Sequence, residues 1–210
     1  MSQTGDPDRY FTVADGPEAE IKVRGSRFIG RVFHVSDDAA ASTALERARR
    51  RHHAARHHCW AARLGPPGAV RERSDDGGEP SGTGGRPILA RLQRALTHDA
   101  LVVVTRYFGG TKLGTGGLAR AYGDAAQAAL DAAPREVVRI ETRLSIECAF
   151  EDLGAVEATL ARAGSDVHAI DREFVPGPRL ILRVRRSRAD ALTAAIVEAT
   201  SGRATVGVVG

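Results

Sequence analysis

The sequence is poor in cysteine and has no long apolar run. Its two cysteines, Cys59 and Cys148, are too few for a disulfide framework and lack the spacing of a metal site. No apolar stretch approaches the roughly 18–20 residues that a membrane-spanning helix needs. The first residues lack the basic and apolar regions of a signal peptide. We therefore expect a cytoplasmic protein with reduced thiols and no membrane partner.

Lysine and aromatic residues are also scarce. Lys22 and Lys112 are the two lysines among 30 basic residues, and aromatic residues make up 5% of the chain. Few aromatic side chains leave few platforms on which nucleic-acid bases can stack. The net charge is +4, and residues 1–135 hold 20 basic against 15 acidic residues. A phosphate-bearing partner should therefore meet this part of the chain, through a local basic patch.

The hydrophobic pattern changes near Pro134, where we expect one domain to end. Before it, the pattern predicts strands and helices in alternation, with a hairpin through a turn at residues 15–17 and a loop over residues 65–85. Predicted strands cover residues 10–13, 21–35, 57–64 and 101–107; predicted helices run from Asp37 to about His52, from Pro87, and from Leu118 to Pro134.

The remaining residues follow a different order. Strands are predicted at 137–150, 167–174, 180–184 and 204–209, and helices at 153–163 and 189–199. This β-α-β-β-α-β order is that of a ferredoxin-like, split-βαβ domain. The sequence therefore predicts an α+β protein with domains at residues 1–135 and 136–210.

The strongest candidate site is the segment of residues 106–120, which we call the glycine loop. It follows a predicted strand and opens a predicted helix, so its backbone N–H groups can converge on an anion. It lacks both the Walker spacing and a complete Gly-x-Gly-x-x-Gly. A tight turn whose glycines serve packing alone is the alternative. The candidate anion-binding residues supply either charge or backbone amides: Arg106, Lys112, Arg120, Gly114, Thr115, Gly116 and Gly117.

A second glycine-rich segment, residues 73–87, carries three carboxylates and is called the acidic loop. Asp75, Asp76 and Glu79 could bind a hard cation or act as acid and base. Glycine and proline equally allow a structural turn in which the carboxylates pair with arginines. Because the segment shows no octahedral ligand set, we predict neither a metal nor a cofactor.

A third segment, residues 49–60, is rich in arginine and histidine. Arg56 and His58 are candidates to flank an anion held by the glycine loop. A zinc site or a Cys–His nucleophile is disfavoured, because His57 would share a helix face with His53 but a strand face with Cys59. Histidines on a basic surface or in a strand with satisfied hydrogen bonds are the alternative.

Together these segments resemble the IMPACT family, whose bacterial branch is often called YigZ. The most specific part is Thr105 to Gly110 followed by Leu113 to Leu118. The sequence departs from the family pattern in the acidic loop, where Gly77 and Gly78 separate Asp76 from Glu79. Agreement extends through the first predicted domain, over residues 26–29, 55–61, 75–89 and 102–122.

The resemblance implies a fold for each domain. The first is expected to be like the second domain of small-subunit ribosomal protein five, and the second like the last domain of elongation factor G. Both folds occur in proteins that touch ribosomal RNA. Eukaryotic relatives regulate translation under stress by competing for a large activator of an initiation-factor kinase, a partner that we do not carry over to this chain.

The leading hypothesis is a non-catalytic, translation-associated regulatory protein. It would bind RNA phosphate or a ribosome-linked partner through the glycine loop, with Tyr107 or Phe108 stacking on bases. One alternative is a small hydrolase of a phosphorylated or peptide substrate that uses the carboxylates of the acidic loop, although no catalytic triad is evident. Another is a protein-interaction module. The partner and the oligomeric state are left open.

Overall fold

The computed structural model describes residues 6–174 and 176–209 and shows a mixed α/β protein with antiparallel sheets. Contacts divide the chain into two compact units. The first unit is Tyr10–Val138, and the second runs from Arg139 onward with the short segment that ends at Arg9. The predicted domain boundary after residue 135 stays a prediction about independent folding. Within the described residues, no helix is long and apolar enough to cross a membrane.

The first unit is built on a five-stranded antiparallel sheet. The strands in sheet order are β2 (Ala19–Val23), β3 (Ser26–His34), β6 (Ala100–Tyr107), β4 (His57–Leu64) and β5 (Arg71–Asp75). A separate two-stranded sheet joins β1 (Arg9–Val13) to β7 (Arg135–Arg139). The predicted strands at 57–64 and 101–107 are confirmed, and β6 is the central strand.

Helices cover both faces of this sheet. Alternate residues of β6, such as Leu101 and Val103, pack on one face against α1 (Asp38–Arg51). Val102 and Val104 pack on the other face against α2 (Gly85–Arg94) and α3 (Gly114–Ala132). Because both faces are covered, β6 is buried almost to its end and can carry a side chain such as Arg106 into the interior.

Three predictions for the first unit were wrong. The segment predicted as one strand at 21–35 is the hairpin of β2 and β3, turning at Arg24 and Gly25 with φ values of 45° and 81°. Positive φ at both central residues is the geometry that suits a two-residue hairpin. The segment before it, β1, pairs with β7 instead. The loop predicted over 65–85 contains β5, whose five residues are all exposed and therefore give no alternating pattern.

The second unit has the predicted β-α-β-β-α-β order. Its elements are β8 (Glu141–Glu147), α4 (Leu153–Ala163), β9 (Val167–Glu173), β10 (Arg179–Arg185), α5 (Ala189–Ala199) and β11 (Thr205–Val209). The antiparallel sheet has the order β11-β8-β10-β9. Leu144, Leu182 and Ile196 belong to its separate core. The strand predicted at 137–150 is divided into β7 and β8 at Ile140.

Candidate functional site

The glycine loop leaves the central strand and turns sharply into α3. Gly109 lies so close to the hairpin turn that a Cβ there would be 1.9 Å from the carbonyl carbon of Gly25. The N–H of Gly109 donates to Ser26 Oγ at 3.1 Å, which fixes the start of the turn. Gly114, with φ of 70°, then begins the helix in a backbone conformation that other residues rarely adopt. The turn therefore needs glycine at both ends.

The loop borders a cleft of about 680 Å³ in the first unit. One wall is the segment before β4, and another is the last part of β6. The start of α3 and the acidic loop contribute further residues. The lining residues are Ala54, Ala55, Arg56, His57, Glu79, Pro80, Arg106, Tyr107, Phe108, Lys112, Leu113, Gly114, Thr115 and Leu118.

Two of the cations at the cleft are not neutralised by neighbouring carboxylates. Arg56 and Lys112 are exposed, and neither forms a salt bridge with any residue that the structure describes. The first turn of α3 has no acidic residue, and Leu113 before it provides no side-chain cap. The uncapped N–H groups of a helix start carry partial positive charge. The cleft therefore combines two cations with a helix start that attracts anions.

Arg106, by contrast, is buried and already paired. Its side chain is 7% exposed, and Nη1 donates to Glu79 Oε1 at 2.7 Å. Its guanidinium also lies over the rings of Phe28 and Phe108, at 5.5 and 5.4 Å from their centroids. Because Glu79 neutralises the charge of Arg106, this arginine is less suited to bind an anion than Arg56 or Lys112. Its predicted contact with an anion stays a prediction.

Glu79 joins the acidic loop to both the glycine loop and α3. Besides Arg106, it accepts a hydrogen bond from the hydroxyl of Tyr122 at 2.8 Å. Burial, together with neighbouring Cys59 and Glu79, raises the pKa of Tyr122 far above its usual value. Tyr122 thus remains a hydroxyl donor. Glu79 is 4% exposed and has two donors on one oxygen, which is the environment of a structural carboxylate.

Asp76 holds the rest of the acidic loop together. Its carboxylate accepts from the N–H groups of Gly82, Gly84 and Gly85 at 2.8 to 2.9 Å, and so caps the start of α2. Burial alone would raise the pKa of Asp76, but these three donors outweigh it and lower the pKa. Asp75 accepts from the N–H of Gly77 at 2.8 Å. The three predicted acidic residues therefore have separate backbone or side-chain partners.

The described residues contain no group of three or more His, Cys, Asp or Glu that could hold a metal ion. Cys59 is fully buried, and its thiol donates to the carbonyl of Asp76 at 2.9 Å. Burial raises the pKa of Cys59 to about 12. Since the nucleophilic form of cysteine is the thiolate, this thiol is unreactive at neutral pH.

The histidines of β4 lie on opposite faces of the sheet. His57 lines the cleft, and its Nδ1 lies 3.0 Å from the carbonyl of Gly77, which can only accept. Nδ1 therefore donates a hydrogen bond to this carbonyl. His58 contacts Thr105 Oγ1 from the other face, where burial and Arg49 lower its pKa. His58 therefore lies on the face of the sheet away from the cleft, which does not support its predicted place beside an anion.

The structure brings together only part of the predicted set. Arg56, Lys112, Gly114 and Thr115 line one cleft, whereas Arg120 is exposed on α3 and is not among the lining residues. Gly116 and Gly117 lie within the first turns of α3. Within the glycine loop, positive φ occurs at Gly110 and Gly114, whereas Gly116 has the φ of a helical residue.

Sequence reasoning also missed several residues of the site. His57 could have been recognised from strand parity, because it lies two residues before the buried Cys59 and therefore on the same face of β4. Ser26 and Tyr122 hold the glycine loop and Glu79, but they are distant in sequence from their partners. Ser26 is 83 positions from Gly109, and Tyr122 is 43 positions from Glu79, so no local sequence pattern reveals these contacts.

Comparisons with known proteins agree with these features. The model of the Impact N-terminal domain matches residues 24–130, which include both loops and the cleft. An IMPACT family member of Haemophilus influenzae is 34% identical over 88% of this chain and 89% of its own length. The IMPACT family member YigZ of Escherichia coli is 35% identical over 70% and 72%.

A solved crystal structure, titled as that of a hypothetical protein, is similar along almost the whole chain. The TM-score is 0.67 at 28% identity, and the match covers 97% of this chain and 98% of that one. The fold of both units thus occurs together in an experimental structure. With the family match across the cleft and a relative similar over most of its length, the chain belongs to the IMPACT family.

Proposed function

We propose that this protein is a non-catalytic, translation-associated regulator that binds RNA phosphate at the cleft of the first unit. The observation that carries the proposal is the pairing of uncompensated cations with an uncapped helix start. Lys112 and Arg56 line the same cleft as Gly114 and Thr115 at the start of α3. Full charges and convergent amides together are the usual means of holding a phosphate.

The aromatic wall of the cleft favours RNA over a protein partner. Phe108 is 58% exposed, although a large apolar side chain is usually buried. It lines the same cleft as Lys112. An exposed ring next to a phosphate site suits a single-stranded nucleotide, whose base can stack while its phosphate is bound.

A binding role also agrees with the state of the reactive groups. Asp76 and Glu79 are engaged in holding the acidic loop, and Cys59 is a buried thiol. These contacts engage two of the three carboxylates of the acidic loop and leave the neighbouring cysteine as an unreactive thiol, which argues against the hydrolase alternative. The cleft instead offers positive charge, one histidine side chain and an apolar surface.

The association with translation rests on the family resemblance and on the proposed domain folds. The second unit has the ferredoxin-like order proposed for a domain like the last domain of elongation factor G. The first unit is proposed to be like the second domain of small-subunit ribosomal protein five. A fold alone does not define function. These likenesses therefore support only the proposed cytoplasmic setting and the proposed class of partner, RNA or a ribosome-associated protein.

A pull-down from bacterial lysate, with and without ribonuclease, tests the proposal. We expect the wild-type chain to retain ribosomal RNA, and digestion to abolish the capture. Lys112→Glu should retain less RNA, whereas Lys22→Glu makes the same charge change at a residue outside the cleft lining and should retain nearly as much. A protein partner captured equally after digestion would instead favour the protein-interaction module.

A further inference from the structure

The second unit places two arginines opposite each other without a compensating carboxylate. Arg143 on β8 is the direct cross-strand partner of Arg183 on β10, so both side chains project from one face of the sheet. Both residues are exposed. Among the described residues, neither has a carboxylate within salt-bridge distance. Like charges directly opposite each other weaken a sheet, so this pair is unfavourable for folding.

Neighbouring arginines of the same strand show that compensation is available. Arg179 has Glu147 at 3.5 Å and Glu173 at 3.7 Å, on the two strands beside β10. Arg185, at the other end, has Asp166 at 3.6 Å. The arginines at both ends of β10 are thus neutralised. Arg183, between them, faces another arginine.

The sheet surface beside the pair is open. A depression of about 260 Å³ is lined by Arg143, Asp171, Ile181 and Arg183. In the next row of the sheet, Gly207 has open space where a side chain would stand. Gly207 and its partner Ser145 are small, which leaves room beside the pair for an extended chain.

Two acidic residues lie near the pair without neutralising it. Asp171 is opposite Ile181, one row away from Arg183. Glu141 is two residues from Arg143 on β8, and its carboxylate lies 3.8 Å from His168 Nε2. One carboxylate within the depression still leaves an excess of positive charge there, so the depression should attract an anion.

We propose that Arg143 and Arg183 together bind the phosphodiester backbone of RNA. Each guanidinium offers several N–H donors in a planar fork that matches phosphate oxygens. A phosphate between the two would turn their repulsion into a shared attraction. This site is in the other unit from the cleft, and it rests on the proposed function only for the choice of RNA as the polymer.

The test is the salt dependence of binding between the full chain and a fluorescent single-stranded oligouridine, measured by anisotropy. Loss of one phosphate contact flattens the line of log affinity against log salt by roughly 0.7. We expect this change for Arg183→Gln and for Arg143→Gln. Because the substitution also removes a like-charge contact, the melting temperature should not fall.

Arg179→Gln is the matched control on the same strand. It removes a charge that Glu147 and Glu173 already compensate, so it should keep the wild-type salt slope and lower the melting temperature. If Arg183→Gln keeps the wild-type slope, the inference is overturned. A wild-type salt slope for Lys112→Glu together with a flattened slope for Arg183→Gln would overturn only the proposal that the cleft binds phosphate. Absence of RNA binding by the wild type would overturn both.

Discussion

The acidic loop and the glycine loop look alike in sequence but differ in how their polar groups are used. In the acidic loop, Asp76 accepts three backbone hydrogen bonds and Glu79 accepts two from side chains. In the glycine loop, Lys112 has no salt-bridge partner among the described residues, and the start of α3 has no side-chain cap. Asp76 and Glu79 of the acidic loop thus already have hydrogen-bond partners within the protein, whereas Lys112 and the start of α3 in the glycine loop remain available to a ligand.

Apart from Gly109, which is packed against the hairpin turn, particular glycines of the two loops show the same difference. A Cβ at Gly84, in the acidic loop, would stand 2.4 Å from the Sγ of buried Cys59. A Cβ at Gly110 or Gly114 in the glycine loop would meet nothing within 4 Å. Glycine composition therefore does not distinguish a packed turn from a binding loop. The distinction is whether the polar groups around the glycines already have partners.

The largest expected effect concerns the ion pair that joins the loops. Glu79→Ala leaves Arg106 buried without its carboxylate, and removing one partner of a buried pair costs about 3–5 kcal/mol. Urea denaturation should show this loss in the free energy of unfolding. Tyr122→Phe is the matched control, since it removes one hydrogen bond to Glu79 and keeps the ion pair, at about 1 kcal/mol. Equal losses for the two variants would contradict the account.

The next effect contrasts a packed glycine with an open one. Gly84→Ala should lower the free energy of unfolding by about 1–3 kcal/mol, because the new methyl group overpacks against Cys59. Gly116→Ala should cause no loss, because Gly116 lies in α3 with open space around it, and alanine favours a helix. Thermal unfolding of both variants checks the pair. Similar destabilisation by both substitutions would show that the two loops are packed alike.

A smaller effect should appear in acid, through Asp76. Its folded pKa is lowered, so the stability that it contributes is present above its unfolded pKa near 3.9 and is lost as the pH falls through the folded pKa. Asp76→Asn should cost about 1 kcal/mol at neutral pH, because the cap is weakened. Its melting temperature should then fall less steeply than that of the wild type as the pH is lowered below about 5. Parallel curves would mean that Asp76 does not contribute in this way.

Much of the fold could be predicted because it follows local patterns. The helices of the second unit have the predicted bounds, 153–163 and 189–199, since each buries one periodic apolar face. The start of α1 was also confirmed, with Asp37 accepting from the N–H of Ala40 at 2.8 Å. The pairing of β1 was wrong because strand partners depend on contacts distant in sequence. Burial patterns could not reveal β5, whose residues are all exposed.

The candidate site was predictable in its components but not in their connections. The sequence indicated Lys112 and the start of α3 as anion-binding, and the structure places them at one cleft with Arg56. It also predicted Arg106 as an anion-binding residue, although Glu79, 27 residues away, neutralises its charge. Charge on a side chain can be read from the sequence. Whether that charge is already paired depends on the packing of β6 against the acidic loop.

The central claim is that the glycine loop binds phosphate with polar groups that have no partner within the described protein. A salt titration of binding to ribosomal RNA tests it most directly. Lys112→Glu should weaken binding and flatten the line of log affinity against log salt by roughly 0.7–0.9 for the lost phosphate contact. Lys22→Glu changes the net charge equally at a residue that is not part of the cleft lining, and it should keep the wild-type slope. Equal losses for the two variants would mean that the loop is a structural turn within a generally basic surface.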